Sequence, residues 1–226
     1  MESDPPLDGL DWRDGDVPVS RRFDDPYFSV QDGLEETRHT FLAGNDLPAR
    51  LSPGFHVAEL GFGTGLNAMA LAAVAPCPIR MTSFEAFPME SGELARATAR
   101  WQDRLAAPRA ALLRNYARGG GLIELGNVTL DLRIGDARAE LPRWTGSADA
   151  WFLDGFAPAR NPELWSDALM AEVGRHTAPG GTFATYTSAG RVRRALAAAG
   201  FHVVKRPGWG RKREMCSGRM TQPCLG

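Results

Sequence analysis

Residues 57–67 read Val57-Ala58-Glu59-Leu60-Gly61-Phe62-Gly63-Thr64-Gly65-Leu66-Asn67: an apolar run, a turn with three alternating glycines, and the start of an Ala/Leu-rich helix. That order makes a nucleotide-type site, because glycines leave room where a ligand approaches the backbone and a helix start offers unpaired N–H donors. The spacing is G-x-G-x-G rather than the dinucleotide G-x-G-x-x-G. The carboxylate of Glu59, just before the first glycine, would repel a pyrophosphate but suits the cationic amino group of a methionine moiety. S-adenosylmethionine is therefore favoured over NAD, with Glu59, Gly61, Phe62, Gly63, Thr64, Gly65 and Asn67 as the expected cradle. Two further strand ends carry acids. Ser83-Phe84-Glu85 lies about 20 residues on, where a carboxylate can accept from ribose hydroxyls. Ile134-Gly135-Asp136-Ala137 offers Asp136, with Ala137, for the exocyclic amine of adenine. The competing reading is a tight turn with ordinary solvated strand ends.

A second apolar run, Ala150-Trp151-Phe152-Leu153, ends in Asp154 and continues through Gly155-Phe156-Ala157-Pro158 to Asn161-Pro162. The fourth strand of such a fold faces the transferring methyl group. An acid followed by an aromatic and prolines there resembles, without copying, the arrangement in methyltransferases that act on base nitrogens. Methyl transfer needs a neutral nitrogen lone pair in line with the sulfonium carbon, so catalysis rests on positioning and on managing one proton. An alkylammonium resembling lysine has a pKa of about 10.4. Asp154 could orient such an amine and receive its proton, although ion pairing also raises the ammonium pKa. Phe156 could stack on a base. Loop capping by Asp154 and core packing by Phe156 are the alternatives.

These residues need a scaffold of alternating strands and helices. Apolar runs predict strands at 56–60, 80–85, 128–134, 150–153, 181–186 and 202–205, and helical patterns fall at 65–75, 91–101, 166–176 and 189–199. Helix is also favoured, narrowly, over 33–42. The Asp-, Pro- and Gly-rich first 25 residues are expected to be extended or loop, packed on the core, with little chemistry in them. Gly119-Gly120-Gly121 should form a flexible turn before the third strand. The pattern predicts an α/β protein with a Rossmann-like S-adenosylmethionine-dependent methyltransferase fold, a doubly wound, mostly parallel sheet. Residues 1–52 would form an N-terminal extension packed on a methyltransferase core of residues 53–226.

The formal net charge of −1 over 226 residues conceals an uneven layout. Residues 1–36 carry eleven Asp or Glu against three Arg, whereas residues 191–219 carry nine Lys or Arg against Glu214 alone. That tail, with Phe201 and Trp209 interleaved, suits phosphate contacts plus stacking, and Arg191, Arg194, Lys205, Arg211, Lys212 and Arg213 are the candidate RNA contacts. Charge alone fits a solvated surface equally well. Cys77, Cys216 and Cys224 have no metal-binding spacing, so neither zinc nor a disulfide framework is expected. With no basic apolar leader and no run long enough to span a bilayer, a cytoplasmic protein is expected. His39, His56, His176 and His202 read as structural or surface residues. Trp101, Trp144 and Trp165, and Met69, Met81, Met89 and Met170, read as packing.

The chain resembles a specific family, the MnmC-type methyltransferase domain of bacterial tRNA wobble-uridine modification, also found free-standing as MnmD. The resemblance lies in Tyr27-Phe28-Ser29, Gly33 to Thr37, Glu59 to Asn67, Ser83 to Pro88, Trp151 to Trp165 and Gly208 to Met215, and spans about residues 10–218. It implies N-methylation of the 5-aminomethyl group of a (2-thio)uridine at the wobble position, with the glycine turn, Glu85, Asp136, Asp154 and Phe156 as site residues and the tRNA anticodon stem-loop as partner. No second glycine fingerprint is present, so methyltransferase activity alone is expected, and a separate flavin oxidoreductase could act upstream. Residues 216–226 do not resemble a finished domain end. Competing functions are a methyltransferase for a small amine or protein side chain, a nicotinamide oxidoreductase, and a non-catalytic RNA-binding module.

Overall fold

A computed structural model describes residues 9–221 apart from Asp14. The first described segment forms β1 (Leu10–Arg13), β2 (Val17–Ser20) and β3 (Asp25–Pro26), a small antiparallel sheet. The first 25 residues, expected to be extended or loop and packed on the core, are thus extended or in turns where described, with Val17 and Val19 buried, and residues 1–8 lie outside the described residues. Next comes α1 (Gly33–Thr37), N-capped by the Asp32 carboxylate on the N–H groups of Leu34 and Glu35. It runs on through a π-turn, Arg38–Leu42, and a 3-10 turn, Ala43–Asn45.

The core then alternates β4 (His56–Leu60), α2 (Leu66–Ala72), β5 (Ile79–Glu85), α3 (Ser91–Thr98), α4 (Ala106–Asn115), β6 (Gly121–Leu125) and β7 (Val128–Ile134). It continues with α5 (Ala137–Glu140), β8 (Ala148–Leu153), α6 (Asp167–Arg175), β9 (Thr177–Thr185), α7 (Gly190–Ala198), β10 (Phe201–Pro207) and β11 (Glu214–Met220). The strands lie in the order β10-β11-β9-β8-β4-β5-β7-β6. The five strands from β9 to β7 pair in parallel, and both edges are antiparallel. This is the expected Rossmann-like, doubly wound α/β sheet. Chain order reverses at β4, which pairs with β5 on one side and β8 on the other, and ligands bind beyond the carboxyl ends of strands at such a point.

Each expected core strand and helix is present, several longer or shorter by a few residues. The sequence pattern did not reveal β6, β11 or α4. The 119–121 turn opens directly into β6, which hairpins onto β7. Residues 214–220 lack apolar alternation, yet β11 inserts between β9 and β10; of the segment 216–226 that did not resemble a finished domain end, 216–220 are thus interior strand and 222–226 lie outside the described residues. Phe201, expected to be available for stacking, is 3% exposed and packs edge-on against Phe183, because β10 turns it into the core.

Alternation along the central strands sends side chains to opposite faces. Val57, Met81, Ala150 and Phe152 join the cluster beneath α1 and α2, whereas Ala58, Leu60, Phe84, Trp151 and Leu153 join the cluster beneath α6 and α7. The methionines and tryptophans read as packing are all buried, as are His56 and His176. His56 bonds Thr82 Oγ1 at 2.9 Å and His176 bonds the Trp144 carbonyl at 2.6 Å. Burial beside Trp144 and the nearby Arg80 charge push His56 down to about 4, so it stays neutral.

Asn45 ties the N-terminal region to the sheet. Fully buried, it donates to the carbonyls of Phe41 (3.0 Å) and Trp151 (3.2 Å) and accepts from Thr182 Oγ1 (2.6 Å). Asn45→Ala removes these three buried hydrogen bonds and is expected to lower unfolding free energy by about 2–3 kcal/mol. Urea denaturation at constant m-value measures this.

Candidate active site

The glycine turn between β4 and α2 supplies the floor of a cavity of about 570 Å³. Gly61, Gly63 and Gly65 all have positive φ, at 78°, 53° and 70°. A Cβ on Gly61 would lie 3.1 Å from Gly155 Cα, and one on Gly65 would meet Phe62 and Leu112 at 2.7 and 2.8 Å. Gly61 therefore lets the β4 and β8 loops pass each other, while Gly65 lets the helix start close over Phe62.

Eight of the ten expected cofactor residues line the cavity: Gly61, Phe62, Gly63, Thr64, Asn67, Glu85, Asp136 and Ala137. Gly65 and Glu59 do not. Glu59 points to the α2 face with Val57, is 0% exposed, and accepts from Asn67 Nδ2 (2.9 Å) and Ser83 Oγ (2.5 Å). Burial holds its carboxyl well above the usual range. The expectation that Glu59 takes an amino group directly is thus corrected: it lies beneath the cavity and is joined to its lining through Asn67. Glu85 is nearly buried and accepts the N–H of Gly63 (2.8 Å) and of Phe87 (2.7 Å), which fixes it at the turn. Asp136 is more exposed. It caps α5 through the Arg138 N–H and pairs with the Arg138 guanidinium at 2.5 Å, which holds its carboxyl low.

Asp154, leaving β8 on the α2 face, receives Asn67 Nδ2 (2.9 Å) and its neighbour Gly155 N–H (2.8 Å). Enclosure on the cavity wall pushes its carboxyl up to about 7, against the lowering effect of those two donors. Phe156 lies at the cavity, but its ring already stacks on Phe23 (4.6 Å between centroids) and meets Tyr27 edge-on (4.9 Å). One face of the ring expected to stack on a base is therefore covered by Phe23 of the N-terminal segment.

That segment was expected to carry little chemistry, yet Arg22, Phe23, Asp25, Pro26 and Tyr27 line the cavity. Asp25 accepts the Ala157 N–H at 2.8 Å, pinning the loop that follows Asp154. Glu36, Thr37 and Tyr186 were also missed. Thr37 Oγ1 donates to Asn67 Oδ1 (2.8 Å), and Tyr186 donates to the Gly155 carbonyl (2.8 Å). Six acids and three bases line the cavity, a balance that suits a cationic ligand.

A second, more open groove adjoins the cavity and shares Ala157, Tyr186 and Lys212 with it, its far wall formed by Pro158, residues 187–189, Arg213 and Glu214. The candidate RNA contacts separate here. Arg191 reaches the Pro158 carbonyl (2.7 Å), and Lys205 pairs with Glu214 (2.7 Å). Arg194, on α7, is exposed, as are Arg211 and Arg213. Lys212 turns inward to Glu36. Trp209 is half-buried beside His39, and its indole N–H has no partner among the described residues. Among the described residues there is no cluster of potential metal ligands and no helix long and apolar enough to cross a membrane.

Comparison with known proteins agrees with this geometry. A family described as S-adenosyl-L-methionine-dependent methyltransferase matches residues 107–221. A protein of Caulobacter sp. (strain K31), "tRNA 5-methylaminomethyl-2-thiouridine biosynthesis bifunctional protein MnmC", is 46% identical over 230 residues, covering 94% of this chain and 38% of its own length. Its namesake in Pseudomonas fluorescens (strain Pf0-1) is 48% identical over 225 residues, covering 92% and 34%. The chain therefore spans little more than a third of these relatives. The crystal structure of MNMC2 from Aquifex aeolicus superposes with a TM-score of 0.74 at 23% identity, covering 95% of this chain and 72% of that one, and shows the same fold.

The raised Asp154 carboxyl makes stability depend on pH. Its usual value of 3.8 applies when unfolded and about 7 when folded, so the folded state binds the extra proton between them. The resulting stabilisation is present below about pH 4 and is lost as pH rises to about 7. Asp154→Ala is expected to flatten the fall in unfolding free energy across this window, as followed by urea titration at several pH values.

Proposed function

Because this chain belongs to the S-adenosyl-L-methionine-dependent methyltransferase family, we propose that it methylates the 5-aminomethyl nitrogen of a (2-thio)uridine at the wobble position of tRNA, giving the 5-methylaminomethyl nucleoside. The observation that carries this reading is Asp154, a carboxyl raised to about 7 on the wall of the glycine-turn cavity, close to where an open groove adjoins it. The names of the relatives supply the nucleoside. The tRNA anticodon stem-loop is the proposed partner, and a flavin oxidoreductase acting upstream would supply the aminomethyl substrate.

The residues present fit the methyl donor. The cavity has ligand size, glycines keep its floor free of side chains, and the acidic lining matches a sulfonium and an ammonium. When bound, S-adenosylmethionine supplies an electrophilic methyl whose bond to sulfur breaks as the bond to nitrogen forms. Glu85, fixed by two backbone donors, keeps lone pairs for a ribose diol. Asp154, oriented by Asn67 and Gly155, holds the amine and accepts its proton, directly or through water. Arg211 and Arg213 offer exposed charge to the phosphate backbone beside the groove.

Methyl transfer from labelled S-adenosylmethionine to tRNA bearing 5-aminomethyl-2-thiouridine, followed by nucleoside analysis, tests the reading. Asp154→Ala is expected to lower kcat by about 10²-fold or more. Absence of transfer with donor binding retained would point instead to a small amine. Charge reversal of Arg211 and Arg213 together is expected to raise KM for tRNA about tenfold and to flatten its salt dependence, with donor affinity unchanged.

A further inference from the structure

Sequence reasoning placed Lys212 among phosphate contacts, but its ammonium lies elsewhere. Lys212 Nζ is 2.7 Å from Glu36 Oε1 and 4.0 Å from the centre of the Tyr186 ring. Glu36 is only 9% exposed, on α1, and Tyr186 is anchored to the Gly155 carbonyl beside Asp154. Lys212 is half-exposed in the free protein, and it lines both the cavity and the groove. A base seated in that groove would cover it.

The acceptor chemistry gives this cation a use. A carboxylate beside an alkylammonium stabilises the protonated amine, which cannot attack. A second cation nearby opposes that effect, because like charges disfavour the charged form. We infer that Lys212 is a positioning residue for acceptor deprotonation: held by Glu36 over Tyr186, its ammonium disfavours protonation of an incoming amine and favours the ionised form of Asp154. The inference rests on the amine acceptor proposed above.

The surrounding groups agree with this role. Asp154 from the end of β8 is pushed up by the Glu36 charge and drawn down by Lys212, both acting after its enclosure and its hydrogen bonds. Tyr186, following β9, is held well above its usual range by burial and so stays neutral. Asp25 from β3 is occupied by the Ala157 N–H. Arg213 and Glu214 flank the groove. Arg22, Glu85, Asp136, Arg138 and Glu163 complete the charged lining of the cavity.

The test is the pH profile of kcat/KM on tRNA bearing the aminomethyl nucleoside, with circular dichroism to verify folding of each variant. Lys212→Met is expected to move the acid limb about one unit toward alkaline pH, a loss of about tenfold near neutrality that recovers at high pH. Glu36→Gln, which leaves Lys212 unbalanced, moves the limb the other way, the double variant lies near wild type, and Lys212→Arg keeps the wild-type limb. A Lys212→Met enzyme with raised KM and an unmoved limb would make Lys212 a phosphate contact and overturn the inference alone. A wild-type enzyme that binds the donor but does not methylate this tRNA would overturn the amine reading, and the inference with it.

Discussion

The carboxamide of Asn67 commits one N–H to Glu59, the other to Asp154, and its oxygen to the Thr37 hydroxyl. Three chain regions meet there: the helix near the N-terminus, the first core strand and the strand that ends at Asp154. An amide with both donors occupied can adopt one orientation only, so Asp154 is aimed by a group that is itself locked. Glu59 closes the network from below, held by Ser83 on the neighbouring strand. Its full burial is tolerable because both oxygens have partners and burial favours the neutral carboxyl.

Parity explains why these groups converge. Residues 57, 59, 81, 83, 85, 150, 152 and 154 share the parity that sends side chains toward α1 and α2. The apolar members at the strand starts build a core, and the polar members at the strand ends build the site, so one face serves both purposes. At the strand ends the opposite parity is apolar, with Leu60, Phe84 and Leu153 buried. The cavity thus lies at the edge of a well-packed layer, where rigid strands rather than loops hold Glu85 and precede Asp154.

The N-terminal segment completes what the core begins. Phe23 and Tyr27 close on Phe156, Asp25 pins the loop after Asp154, and Glu36 holds Lys212 from the opposite end of the chain. These contacts explain why a segment of Asp and Pro residues is ordered. Its backbone pairs in a small sheet, and its aromatic side chains are covered by the site they enclose.

The sequence by itself determined the strand–glycine–helix unit, the acids at successive strand ends and the parallel core, because each is written in local spacing: period two in a strand, alternating glycines in a turn. Parity within those strands already implied that Glu59 shares a face with Glu85 and Asp154, but not that Asn67 and Ser83 cover it there. Tertiary structure alone decided the rest. The insertion of β11 between β9 and β10 depends on pairing partners that no local pattern in residues 214–220 announces. The pairing of Glu36 with Lys212 joins groups 176 residues apart. Lys212 looked like its exposed neighbours Arg211 and Arg213 because charge and spacing describe a side chain's chemistry, whereas the direction it faces is set by the packing of distant elements around it.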